Sequence, residues 1–248
     1  MQTTSSPTSS ERSRTSRPRA ALAAWLALAT LQIVLVVAAT IAVDEDDVGE
    51  TLYDYGSAVG NGAVYLVLLG LTIGIANLHG DVRDTLGLRR FTGRWVWLAL
   101  AVVTAVAVFT FAISRLFGID PGEEQGILPD EWRPERAGAI AANGFVVVAI
   151  APLVEELFFR GVGVRVLSVW GSVAAVLVSG VAFGLAHGLL IGLAPLALFG
   201  IGLAWVRLRS ASVWPGVIAH ALYNGAVLAL GLACLSDAEC RGTLGCGL

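Results

Sequence analysis

An all-α fold, a polytopic membrane bundle of about seven transmembrane helices, is predicted for this chain by three observations. Of its 248 residues 56% are hydrophobic and only 14% are charged, with a mean hydropathy of +0.76; a soluble domain carries about 25% charged residues. Charge-free runs of bilayer length recur along the chain, and a helical span needs about 20 apolar residues. Charged residues gather between those runs, with one exception in the second half.

The elements follow in order. Residues 1–19 are rich in Ser, Thr, Pro and Arg and read as a disordered tail carrying Arg12, Arg14, Arg17 and Arg19. Residues 20–43 hold no charge; the run is too long for a signal-peptide core and reads as a retained first span. An acidic loop (44–50) leads to a second uncharged run, 56–78, and then to a basic loop with Arg83, Arg89, Arg90 and Arg94. Residues 95–114 form a third span, with Trp95, Trp97 and the following Arg115 suited to interfaces. After an acidic, Pro-containing loop (118–136) comes an unusually long fourth helix from 137 to about 170. The fifth span covers 171–187, the sixth contains 195–206 and ends at Arg207 and Arg209, and the seventh runs from 214 to about 234. A polar, Gly-rich tail occupies 236–248. Ordinary spans thus fill 20–136, and the working part lies in 137–235.

Arginine bias orients the bundle. The N-terminal tail, the loop after span two and the end of span six are arginine-rich, whereas the loops after spans one and three are acidic. This places the N-terminus in the cytoplasm and the C-terminus outside, in a multi-pass protein of the cell membrane. Cys240 and Cys246 then face an oxidising space and are expected to close a small disulfide loop. With Cys234 they form no Cys-x-x-Cys pair, which argues against a thiolate metal site. The 16 basic residues are all arginine, a bias of high-GC genomes. No internal repeat is visible, which weakens a transporter reading.

The exception to the charge rule is Glu155-Glu156-Leu-Phe-Phe-Arg160, inside the fourth helix. A carboxylate at mid-bilayer costs about 3 kcal/mol on insertion scales. Successive helical residues lie about 100° apart, so the two glutamates face different ways. Glu156 and Arg160, four apart with the acid first, are set to pair. Glu155 has no such partner on its own helix and is the carboxylate available as a general base. Glu155 lies sixteen residues before Gly171 and His187 sixteen after it. A turn at Gly171 would bring both to one depth on antiparallel neighbours. Phe183 shares the face of His187. On the seventh span His220 and Asn224 stand one turn apart, two donors able to converge on one oxyanion. Each of these groups also has a packing reading, since His and Asn bridge membrane helices by hydrogen bonds. His79 and the charges Asp81, Asp84, Arg89 and Arg90 read as interface and solvated loop.

These three motifs, Glu155-Glu156-x-x-x-Arg160, Phe183-x-x-x-His187 and His220-x-x-x-Asn224, resemble in order the pattern of the CPBP family, the type II CAAX prenyl protease and Abi group. The resemblance covers about residues 137–234 and implies an intramembrane endopeptidase, a hydrolase of peptide bonds. Carried over, Glu155 would activate a water held with His187, His220 and Asn224 would stabilise the tetrahedral oxyanion, and Glu156 and Arg160 would support the site. The family is often labelled metalloprotease, and two histidines with a carboxylate can hold zinc, so zinc stands as the alternative to direct glutamate catalysis. No His-Glu-x-x-His motif is present. The expected partners are a membrane-associated protein or peptide substrate and the lipid bilayer, and no nucleic acid. Prenylation of the substrate is not implied, because a prokaryotic enzyme meets few prenylated proteins. Two rivals use the same residues: a proton-coupled transporter, and a catalytically silent immunity or scaffold protein of the same fold.

Overall fold

The computed structural model describes residues 9–42, 49–118 and 132–236. All regular structure among them is helical. Six helices are long and apolar enough to cross a bilayer: Arg17–Ala42, Tyr55–His79, Gly93–Phe117, Pro134–Trp170, Leu193–Ser210 and Trp214–Ala233. A seventh apolar helix, Ser172–Leu185, is shorter. The elements are α1 (Ser9–Ala42), α2 (Tyr55–His79), the short α3 (Val82–Leu86) and α4 (Gly93–Phe117). Next come α5 (Ala137–Phe145), α6 (Ala151–Glu155) and α7 (Val164–Leu167), which are segments of one long rod. The chain ends with α8 (Ser172–Leu185), α9 (Leu193–Ser210) and α10 (Trp214–Ser236).

Three differences from the sequence reading have physical causes. Residues 9–19, expected in a disordered tail, extend α1 to Ser9; once a span is helical, adding a residue costs far less than starting a helix. The fifth expected span is helical for only 14 residues, about 21 Å of rise against about 30 Å of hydrocarbon. The remaining turn is tolerated because protein covers it: Gly188, at φ +70°, packs against Val36 and Thr40 of α1. The long fourth helix is not uniform. Wide π turns interrupt it at Val146–Ile150 and Glu156–Gly163, on either side of α6. Residues 1–8, 43–48, 119–131 and 237–248, which hold Cys240 and Cys246, lie outside the described residues.

The π turns explain why the rod sits at the centre. In the first, the amide of Ala151 donates to the carbonyl of Val146, five residues back. Pro152 comes next and has no N–H, which leaves the Val147 carbonyl without its helical donor. The amide of Asn224 on α10 donates to it at 3.0 Å. Around the second π turn the indole of Trp25 on α1 donates to the Phe158 carbonyl at 3.0 Å, and the Ser179 hydroxyl on α8 to the Phe159 carbonyl at 2.8 Å. Backbone loosened in a membrane must find such partners. Three helices therefore dock on the rod at fixed heights. Aromatic rings fill the space between: Trp25 stacks on Phe158 (5.6 Å), Phe158 meets Phe159 (4.9 Å), Phe159 meets Phe183 (5.4 Å) and Phe183 stacks on Phe199 (5.8 Å). The helices α8 and α9 cross at glycines: a methyl on Gly200 would stand 2.7 Å from the Gly180 carbonyl oxygen, the close approach that small residues permit in lipid.

Candidate functional site

Glu155 ends α6 and Glu156 opens the second π turn. Being adjacent, they diverge as helical geometry requires, and their surroundings differ accordingly. Glu156 is wholly enclosed, as is Arg160, whose Nη1 lies 3.0 Å from Glu156 Oε1. The pair expected from the i, i+4 spacing is thus formed. It meets by distance rather than by aligned hydrogen bonds, since no guanidinium nitrogen of Arg160 makes one. The guanidinium lies instead over the Phe183 ring, 4.0 Å from its centre, where the π face stabilises a cation. The other carboxylate oxygen, Glu156 Oε2, is buried without a hydrogen bond and faces Gly216, where a methyl would come within 2.6 Å of it.

Glu155 is reachable, with 13% of its side chain exposed. Its Oε1 accepts a hydrogen bond of 2.6 Å from the Tyr65 hydroxyl of α2. Its Oε2 lies 3.9 Å from Nε2 of His220, too long for a direct hydrogen bond and short enough for one oxygen atom to bridge. His220, 3% exposed, touches both acids, because its Nδ1 is 3.2 Å from Glu156 Oε1. A carboxylate only accepts, so Nδ1 carries the hydrogen in that contact. The imidazole is packed edge-on against Phe199 (5.0 Å) and Phe183 (5.6 Å), and Phe199 also touches Tyr223 (5.3 Å).

His187 reaches this cluster through Phe183, whose ring also packs against His220. Gly171 does mark the turn, at φ +93°, but the two sides are not symmetric about it. The Ser179–Phe159 bond pairs residues eight after and twelve before Gly171. Continued along antiparallel helices, that register sets Glu155 opposite Phe183 and His187 about one turn beyond. His187 lies against Phe183 as expected, ring centres 4.6 Å apart, and its Nδ1 meets the Phe183 carbonyl at 2.8 Å. A carbonyl accepts only, so Nδ1 donates and Nε2 is the acceptor nitrogen.

His220 and Asn224 share a face of α10: the imidazole meets the glutamates, and the amide gives one N–H to Val147 and keeps the other. Pro152 anchors the amide there by freeing that carbonyl. Among the described residues no three His, Cys, Asp or Glu side chains are grouped as a metal ion would need. The donor set for zinc is therefore not assembled among them.

Two contributors were not anticipated. Tyr65 and Trp25 sit in spans that read as plain apolar helices, and both point into the rod. The only signal of Tyr65 is a hydroxyl in the middle of a charge-free run, which has to find a partner in lipid.

Residues 137–226 match the protein-family model described as Rce1-like, type II CAAX prenyl endopeptidase Rce1-like. The matched segment contains Glu155, Glu156, Arg160, His187, His220 and Asn224; Tyr65 and Trp25 fall outside it. No curated protein and no solved structure matches the chain.

Proposed function

We propose that this chain, a CPBP-family intramembrane protease by its Rce1-like domain at residues 137–226, hydrolyses peptide bonds of a membrane-associated protein or peptide with a water activated by Glu155. The observation that carries this reading is the contrast between the two acids. Glu156 is sealed against Arg160 and Gly216. Glu155 is partly exposed, with one oxygen fixed by Tyr65 and the other facing an imidazole across a one-atom gap.

In this mechanism a water enters beside Glu155 Oε2, which takes its proton as the oxygen attacks the scissile carbonyl carbon. The acceptor Nε2 of His187 orients the other hydrogen of the water. The carbonyl π electrons move to its oxygen, giving a tetrahedral oxyanion. His220, held through Nδ1 by Glu156, turns Nε2 toward that oxyanion and donates to it when the ring is doubly protonated. Asn224 supplies its second N–H, the first remaining on Val147. Two donors of this kind in a water-poor site contribute several kcal/mol, about 3 each by analogy with known oxyanion holes. Glu155 then returns its proton to the departing amine, and the C–N bond breaks. Tyr65 positions Glu155, and the Glu156–Arg160 pair positions His220.

The test is cleavage of a peptide library by the purified protein in detergent, beside Glu155→Gln. The expected loss is at least ~100-fold, the scale of a lost general base, with an unchanged unfolding temperature. Full activity in the variant would overturn the assignment.

A further inference from the structure

A second polar cluster lies at the end of the bundle where α2 and α9 stop and α4 and α10 begin. Arg83, Arg89, Arg90, Leu88, Phe91 and Trp214 line a recess there of about 410 Å³. Next to it the guanidinium of Arg207 lies flat on Gly87, the residue before Leu88, where a methyl group would collide with it. Arg207 Nε is buried without a hydrogen-bond partner. Its charged neighbours are Arg89 and Arg165, both also cations. Arg165 in turn neighbours His79, whose Nδ1 is buried and unpartnered. Two acids stand near: Asp84 pairs with Arg89 at 3.0 Å, and Asp81 caps α3 by accepting from the Asp84 amide. Five arginines against two aspartates leave the cluster strongly positive.

A topology signal accounts for arginines at this end of the helices, but not for their convergence. Arg94 and Arg209 show the dispersed alternative: each lies over a tryptophan, Trp95 at 5.0 Å and Trp205 at 5.5 Å. Those tryptophans mark the depth of the lipid headgroups. Like charges gathered at that depth, one of them desolvated, are stabilised by an anion between them. The membrane offers a phosphate diester at that height, and Phe91 and Trp214 supply apolar walls for the glycerol and first acyl carbons. We propose that this recess binds the headgroup phosphate of an anionic phospholipid, gripped by Arg83, Arg89 and Arg90. Trp214 opens α10 six residues before His220, so an occupied recess steadies the helix that carries the imidazole. The proposal is independent of the catalytic reading.

The test uses the full chain in an uncharged detergent and follows thermal unfolding. Added phosphatidylglycerol is expected to raise the unfolding temperature by roughly 5 °C near saturation, less at high salt. Phosphatidylcholine with the same acyl chains should leave it unchanged. The double variant Arg83→Gln/Arg90→Gln, altered only at exposed side chains, should keep the basal unfolding temperature and need at least ~10-fold more phosphatidylglycerol for half the shift. Equal protection by phosphatidylcholine, or an unshifted half-point in the double variant, overturns the proposal. Equal protection by inorganic phosphate overturns the lipid assignment in favour of a soluble anion.

Discussion

The spans before residue 118 and the long rod Pro134–Trp170 are about equally apolar, yet they meet the lipid on different terms. Of the most apolar stretch in Gly93–Phe117, 11% is buried in protein; in Pro134–Trp170 it is 39%. The first three spans carry no charge through the membrane and need no enclosure. Their outward faces show it: Val59, Val64, Leu66, Trp97, Phe109 and Phe111 are all more than half exposed. The long rod holds Glu155, Glu156 and Arg160, and its backbone is opened twice by π turns. Each feature costs several kcal/mol in hydrocarbon unless it is partnered. Enclosure is therefore most complete where the sequence is least suited to lipid, and the plain spans act as a jacket. The jacket is not inert, because it lends Trp25 to the Phe158 carbonyl and Tyr65 to Glu155.

The contrast can be broken at its strongest point first. Arg160→Met leaves Glu156 buried without its counter-charge and should destabilise the protein by about 3–5 kcal/mol, read as lost folded yield and a lower unfolding temperature in detergent. The double variant Glu156→Gln/Arg160→Met should recover most of that loss; a double variant as unstable as the single would mean that packing, not charge, sets the cost. Glycines offer a matched pair. Gly216→Ala drives a methyl toward Glu156 Oε2 and should cost about 1–3 kcal/mol. Gly74→Ala on α2 meets nothing within 4 Å, so it should be neutral or stabilising by up to about 1 kcal/mol through helix propensity. Equal effects in denaturation curves would erase the distinction between rod and jacket.

Tyr65→Phe probes the link between the two regions. It removes only the hydroxyl on Glu155 and should lower kcat about tenfold, about 1.4 kcal/mol in the barrier, with KM nearly unchanged. The acid limb of the pH–rate profile should move with it, which a purely structural role would not produce. The smallest effect belongs to Asp54, at the start of α2. Its carboxylate accepts from the Ser57 amide at 2.8 Å and the Ser57 hydroxyl at 3.1 Å, and these bonds hold its pKa below the usual 3.8. A depressed pKa contributes stability above about pH 4 that fades as pH falls through the folded value. Asp54→Asn keeps an N-cap residue and should flatten that slight acid sensitivity, measured as unfolding temperature between pH 3 and pH 6.

Much of the plan was legible in the chain because lipid is a demanding solvent. Charge-free length marked the spans, and Gly171 marked the hairpin. The i, i+4 spacing of Glu156 and Arg160 announced their pairing, since both groups sit on one helix. Contacts that join separate helices were not legible. That the His220 ring meets both acids was decided only by the docking of α10 on the rod. The register of α8 on the rod, fixed by the Ser179–Phe159 bond, was likewise beyond residue counting from Gly171.

What the sequence alone determined is therefore local and additive: which segments enter the membrane, which charges go with them, and which neighbours on one helix can touch. What only the tertiary structure decided is which carbonyls lose their helical donors and who replaces them. Pro152 made one such carbonyl, that of Val147, and Asn224 answered it from 77 residues away. In hydrocarbon an unpaired polar group is costly enough to choose its partner among helices, and nothing in the linear spacing encodes that choice.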